Sequence, residues 1–200
     1  YDQDIICFNG KDHIMEEIDG LHFKIGSKSF FQTNSKQAKI LYQKTKELAE
    51  ISEKDLVYDL YTGTGTIAQY IATSAKKVVG IDSVEEGIQA ANANAKRNNI
   101  SNCNFYTGDM KEIFTDEFIS ENGTPDVIIT DPPRDGMHKK VVEQIIKIGA
   151  KRIVYVSCNS ATQARDLSIM EEKYRVTHIQ PIDMFPQTHH VENIVVLELK

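Results

Sequence analysis

The stretch Ile153-Val154-Tyr155-Val156-Ser157-Cys158-Asn159 places a thiol where chemistry can happen. A run of β-branched and aromatic residues that stops at Ser-Cys-Asn reads as a buried strand delivering Cys158 at its carboxyl end, just ahead of a helix. Two readings of Cys158 stand side by side: a nucleophile, or a small residue filling space at a strand end. Position favours the first. In open α/β sheets ligands bind beyond the carboxyl ends of the strands. A helix starting at Ser160 would turn its positive end toward the sulfur and favour thiolate.

Two more groups belong to the same edge. Thr188-His189-His190-Val191-Glu192-Asn193 precedes the last strand, which makes Glu192 a candidate general base; the alternative is a solvent-facing charge. Asp131-Pro132-Pro133-Arg134-Asp135-Gly136 follows another strand. Consecutive prolines hold an extended path, which suits a wall for a planar base, or a rigid turn with no ligand. Arg134, with Lys139 and Lys140, could meet a phosphate or simply start a solvated helix.

A cofactor loop is legible at Asp59-Leu60-Tyr61-Thr62-Gly63-Thr64-Gly65-Thr66, where a strand turns into a helix. Gly63 and Gly65 let the backbone turn sharply and approach a ligand. Position 68 is alanine, so the third glycine of a dinucleotide fingerprint is missing. Asp82, about 20 residues on, ends the next strand and could accept ribose hydroxyls, a feature common to nicotinamide and adenosyl sites. Asp59, ahead of the glycines, resembles the acidic residue that ends the first strand of methyltransferase loops near the methionine amine, and this likeness tips the choice to S-adenosylmethionine. Gly108-Asp109, after the following strand, would lie near an adenine or form an ordinary turn and cap.

The elements that must position these residues alternate. Strands are expected at Leu56–Leu60, Lys77–Asp82, Cys103–Thr107, Asp126–Thr130, Arg152–Ser157, Arg175–Gln180 and Ile194–Leu199. Helices are expected at Thr66–Thr73, Glu85–Asn98, Lys139–Ile148 and Ala161–Glu171, with a less regular segment over Met110–Ile119. Such alternation implies right-handed crossovers and a mostly parallel, doubly wound α/β sheet. No helix separates the last two strands, so the final one should run antiparallel, the Rossmann-like class I methyltransferase arrangement. Upstream, His13–Ile18 and Leu21–Ile25 flank Asp19-Gly20, a tight hairpin signal. A helix over Lys36–Ile51, capped by Asn34 or Ser35, follows Phe30-Phe31-Gln32-Thr33. We expect residues 1–28 to be the remnant of an upstream region and 29–200 the S-adenosylmethionine-dependent methyltransferase domain.

Composition narrows the classes. Two hundred residues, 40% hydrophobic, suffice for one α/β core. Cysteines at 7, 103 and 158 show neither disulfide nor metal spacing, which fits a reducing cytoplasm. No metal is expected, and no apolar run nears the roughly 20 residues of a membrane span. A net charge of −6 argues against a self-sufficient nucleic-acid binder, so a polyanionic substrate would need a local basic patch or further chain. The start at Tyr1 suggests that an upstream region belongs to the full-length chain.

Phe30-Phe31-Gln32-Thr33-Asn34, the loop from Asp59 to Gly65, Asp131-Pro132-Pro133-Arg134, Val154 to Asn159 and His190-Val191-Glu192 together resemble the ordered motifs of the RNA uracil-C5 methyltransferases. That resemblance runs from about Leu21 to Lys200. It implies that Cys158 adds to C6 of a flipped-out uracil in ribosomal or transfer RNA and that Glu192 removes the C5 proton. It further implies that Gln32, Tyr61, Asp82 and Asp131 bind S-adenosylmethionine, Asp131 also lying close to the uracil edge, and that the upstream region is an RNA-binding one. Thr62 and Thr66 depart from the cysteine and asparagine that members often carry there, and the cysteine cluster of some members is absent. A methyltransferase acting on an exocyclic amino group, or a cofactor-binding or RNA-binding fragment without turnover, are the alternatives.

Overall fold

The computed structural model describes residues 5–27 and 29–200. The chain opens with the expected hairpin, β1 (His13–Ile18) and β2 (Leu21–Gly26), followed by α1 (Ser35–Ala49). Then come β3 (Leu56–Leu60), α2 (Thr66–Ala72), β4 (Lys77–Asp82), α3 (Glu85–Arg97) and β5 (Cys103–Thr107). Two short helices, α4 (Met110–Ile113) and α5 (Asp116–Asn122), stand where the sequence suggested one irregular segment. Thr115 separates them because its side chain accepts the Phe118 N–H and starts a new helix. The rest is β6 (Val127–Thr130), α6 (Lys139–Ile148), β7 (Arg152–Ser157), α7 (Ser160–Met170), β8 (Tyr174–Ile182) and β9 (Glu192–Leu199).

The seven strands β3 to β9 form one sheet in the order β5-β4-β3-β6-β7-β9-β8. Neighbours from β5 to β7 are parallel, and β9 runs antiparallel to both β7 and β8. The chain changes direction along the sheet between β3 and β6, so a crevice opens above their carboxyl ends. Among the described residues no helix is long and apolar enough to cross a membrane.

Two apolar clusters cover the two faces. One unites α1 and α2 with Val57, Ile129, Val154, Val156 and Ile194; the other holds Tyr58, Leu60, Ile128, Ile153, Tyr155 and Val195 with α6. Because strand side chains alternate, this division fixes where each polar residue points. Asp59 and Glu192 fall on the α1 side. Continuing the same parity one step beyond β6 and β7 places Asp131 and Cys158 there too.

The hairpin packs into the α1-side cluster through Ile18, Phe23 and Ile25. Its open edge is closed by side chains rather than by another strand. Asn94 accepts the Lys24 N–H at 2.8 Å and donates to the Lys24 carbonyl at 3.2 Å. Asn98 does the same for His22, at 2.8 and 3.1 Å. Four residues of helix rise about 6 Å and two of strand about 6.7 Å, so the two amides on one helix face match alternate residues of the strand. At the turn, Asp19 takes bonds from Tyr70, Gln43 and Lys39. Asn94→Ala, at a fully buried position, leaves both Lys24 backbone groups without partners. We expect it to lower unfolding free energy by about 2 kcal/mol in a urea titration, whereas Gln89→Ala on the same helix should change little.

Candidate active site

The glycine loop is held open by its own backbone and by two carboxylates. Thr62 N–H donates to the Ile81 carbonyl (3.0 Å), and Gly65 N–H to that of Thr62 (2.8 Å). Tyr61, Gly63 and Gly65 have φ of +64°, +55° and +72°, a left-handed region that glycine enters without strain. A Cβ on Gly65 would lie 2.8 Å from both Ala91 and Phe105, whereas one on Gly63 would meet open space. Position 65 therefore needs glycine for packing, and position 63 presents bare backbone to the crevice.

Asp59, 1% exposed, accepts the Thr62 hydroxyl at 2.5 Å and the Ala68 N–H at 3.1 Å, tying strand, turn and helix together. Asp82 accepts Gly63 N–H (2.8 Å) on one oxygen and Val84 N–H (2.9 Å) on the other. Each oxygen keeps a further lone pair for a hydroxyl. Thr66 starts α2, its hydroxyl 3.1 Å from that of Thr64. Asp109 caps α4 by accepting Lys111 N–H, and it pairs with the Lys111 ammonium.

Gln32 lies half-buried just before α1. Asn34, the α1 cap, also donates to the Met184 carbonyl at 2.9 Å, which ties this segment to the β8–β9 connection. Of the two aromatics, Phe31 packs on Phe23, while Phe30 is 75% exposed.

The Asp131–Gly136 turn is locked to the helix behind Cys158. The Arg134 carbonyl accepts from the Asn159 amide and the Thr162 hydroxyl, both at 3.0 Å. Asp166 on α7 accepts the Met137 N–H (2.8 Å) and the Tyr155 hydroxyl (2.7 Å). Arg165 grips the other Asp166 oxygen and reaches the Asp135 carbonyl. A Cβ on Gly136 would lie 2.6 Å from Arg165 and 2.8 Å from Asp166. Asp166 and Arg165 were not singled out from the sequence. The usable signal was a carboxylate three residues after Gln163, both on a helix face that must turn inward.

Cys158 and Glu192 meet at the end of one ladder. The last β7–β9 pair is Ser157↔Asn193, and the next residue out on each strand is Cys158 and Glu192. Glu192 is 9% exposed. Burial raises its pKa, which the Arg134 guanidinium lowers in part. Burial drives the Asp131 carboxyl well above the usual range, with the charges of Glu192 and Asp59 adding to the rise. Tyr42 of α1 lies against the same group: burial, then Asp131, Asp59 and Glu192, push its phenol up. Asp59, Asp131 and Glu192 thus share one water-poor pocket on the α1 side.

One expectation is corrected here. The helix at Ser160 was expected to favour the Cys158 thiolate. The thiol is instead raised, by burial first and then by Glu192 and Asp131, with Arg134 opposing. Burial first, and the nearby acids second, act against the partial positive charge of the helix end. Around the rim, His190 lies 3.3 Å from the Arg134 guanidinium and stacks on His189. Lys139 pairs with Glu143 on α6. Among the described residues no group of three His, Cys, Asp or Glu side chains could hold a metal ion.

The buried acids make a testable pH signature. Burial pushes the Asp59 carboxyl up to about 7, against about 3.9 in an unfolded chain. A raised acid stabilises the fold fully below the unfolded value, and that contribution is lost as pH rises through the folded value. Asp59→Asn removes the titration. Its stability relative to the wild type should therefore climb between about pH 4 and pH 7 and level off above, read as urea midpoints across that range. A flat difference would refute the assignment.

The chain can now be set beside known proteins. The family model described as tRNA (Uracil-5-)-methyltransferase matches residues 6–200. A protein of Bacteroides thetaiotaomicron named as an RNA methyltransferase is 58% identical over 199 residues, covering 100% of this chain and 44% of that protein. A similarly named protein of Porphyromonas gingivalis is 54% identical over 98% of this chain and 43% of its own length. The chain thus spans less than half of these relatives. The crystal structure of Pyrococcus abyssi tRNA (uracil-54, C5)-methyltransferase in complex with S-adenosyl-L-homocysteine superposes with a TM-score of 0.85 at 36% identity. That match covers 98% of this chain and 48% of the other. A fold, an ordered set of motifs and a family match over nearly the whole length agree: the chain belongs to the tRNA (uracil-5-)-methyltransferase family.

Proposed function

We propose that this chain is the catalytic part of an S-adenosylmethionine-dependent enzyme that methylates C5 of a uridine in RNA, with Cys158 as nucleophile and Glu192 as base. One observation carries the reading: Cys158 and Glu192 lie side by side one step beyond the β7–β9 ladder, on the face that also holds Asp59 and Asp131.

The crevice suits the cofactor. Gly63 faces open space, Gly65 admits no side chain, and Asp82 retains acceptor capacity on both oxygens. Gln32, Asp59, Tyr61, Gly63, Gly65, Thr66, Asp82, Asp109 and Asp131 are the residues we assign to it, Asp59 by shaping the loop. When bound, S-adenosylmethionine supplies a methyl electrophile on a sulfonium.

Uracil C5 is too weak a nucleophile to take that methyl unaided. The Cys158 sulfur forms a bond to C6, and the C5=C6 electron pair moves onto C5. After C5 has acquired the methyl group, Glu192 takes the C5 proton. The freed pair restores the double bond and the C–S bond breaks, returning thiolate. A positioned carboxylate contributes about a hundred- to ten-thousand-fold in such a step. Asp131, whose carboxyl is raised well above the usual range by burial and by the charges of Glu192 and Asp59, is the group we assign to the uracil edge, where it would bring the base into register. Flipping the uridine out of a helix costs a few kcal/mol, less in a loop. With an overall charge of −6, the local grip on RNA falls to Arg134, His190 and exposed Phe30.

RNA carrying 5-fluorouridine tests this, because fluorine cannot leave C5 as a proton. With S-adenosylmethionine the wild type should form a covalent RNA adduct stable in denaturing gels, and Cys158→Ala none. Transfer that survives Cys158→Ala would instead favour an exocyclic amino acceptor. Since burial and two carboxylates raise the Cys158 thiol, the rate of adduct formation should keep climbing with pH beyond the ordinary thiol range near 8.5. A plateau by pH 7 would contradict that environment. Glu192→Gln should slow turnover by about a hundredfold or more and leave methylated adduct on ordinary uridine RNA.

A further inference from the structure

We propose that Gln163 and Asn193 form a clamp that positions Glu192 for proton removal, a role distinct from delivering the sulfur. The inference rests on the uracil reading above. Gln163 sits in the first turn of α7 and is 1% exposed. Its amide nitrogen donates to the Tyr155 carbonyl at 2.9 Å and to the Asn193 carbonyl at 3.2 Å. Its amide oxygen accepts from the Asn193 side chain at 2.7 Å. Both amide N–H groups and the amide oxygen of a side chain that water does not reach are thereby bonded to two strands.

The location gives the clamp its meaning. The β7–β9 ladder ends at Ser157↔Asn193, where β7 turns away into α7. Glu192, one residue farther, has a strand partner only on its other side, Ile182 of β8. A residue held by a ladder on one side only is fixed less firmly than one paired on both. Gln163 supplies the missing rung. It grips both the carbonyl and the side chain of the residue next to Glu192, from the α7 face, while Glu192 projects to the α1 face. A leucine or methionine would fill the same buried space, so packing alone does not call for an amide here.

Cys158 is fixed by other means. Ser157 Oγ accepts the Asn159 N–H at 3.1 Å, and Asn159 and Thr162 are bonded to the Arg134 carbonyl. The clamp touches Asn193 and the Tyr155 carbonyl but none of these contacts. Its loss should therefore slow the step that needs Glu192 and spare the step that needs only the thiol and the methyl donor.

Full-length Asn193→Ala and Gln163→Met, the second conserving volume, would be measured beside wild type in two assays. With 5-fluorouridine RNA, covalent trapping should stay within about threefold of wild type. With ordinary uridine RNA tritiated at C5, tritium release should fall about ten- to a hundredfold, the range a misplacement near 1 Å produces, and methylated adduct should accumulate. Combining either variant with Glu192→Gln should leave release no slower than Glu192→Gln alone. Equal losses in both assays, unchanged tritium release, or additive losses with Glu192→Gln would each overturn the clamp. A wild type that fails to trap fluorouridine would sink the uracil reading itself, and the clamp with it.

Discussion

The site depends on crowding acidic groups beside a thiol where water is scarce. Asp59, Asp131 and Glu192 share one pocket with Tyr42 above and Cys158 beside them. Burial raises all three carboxyls, and the charges of Glu192 and Asp59 raise Asp131 further. The pocket therefore favours the protonated form of its acids. That suits a mechanism which needs a donor, an acceptor and a nucleophile whose states change during one turnover. It also explains why Arg134 matters out of proportion to its single charge: its guanidinium acts on both the Cys158 thiol and the Glu192 carboxyl, lowering each. The positive charge of Arg134 thus works against an acidic interior.

Much of this was legible in the chain, for a physical reason. Period-two alternation in a sheet buried on both faces fixes which residues share a face once the strand ends are known. The Ser-Cys-Asn stop, the Asp-Pro-Pro turn and the late Glu192 mark those ends directly. Glycines at 63 and 65 were readable because position 65 has no room for a Cβ and both have positive φ. Asn34 as a cap, the Asp19-Gly20 turn and the antiparallel final strand follow from local rules of the same sort. The state of Cys158 did not follow. A helix start in sequence is a local feature, whereas the two carboxylates that raise the thiol arrive from 27 residues upstream and 34 downstream.

What stayed hidden shares that character. Gln163 and Asp166 look like ordinary helix polar residues until tertiary structure buries them. Each then acts at a distance in sequence, Gln163 on Asn193 and Asp166 on Met137. Asn94 and Asn98 likewise read as surface amides on an amphipathic helix, yet they complete the edge of a strand about 70 residues earlier. Amides serve at Gln163, Asn94 and Asn98 because one side chain carries both a donor and an acceptor, as a peptide unit does. Where the chain must join two elements that no backbone ladder reaches, it uses an asparagine or a glutamine as a surrogate rung.

That substitution has a consequence for how the two halves of the crevice stay in register. The half proposed to hold the cofactor is built on β3 and β4, with Asp82 bonded to the glycine loop; the half that carries Cys158 and Glu192 is built on β7 and β9. Only β6 and its Asp131 turn lie between them in the sheet. The turn is fixed on one side by the Asp131 N–H bond to Leu60 in β3, and on the other by Asp166, Asn159 and Thr162 of the α7 region. Asn34 closes the circuit from above by joining the Gln32 segment to Met184. A methyl donor and an acceptor base held on opposite halves must be aligned to a fraction of an ångström for transfer. The Asp131 turn is the shared wall through which that alignment is set, and the two prolines keep the wall from yielding.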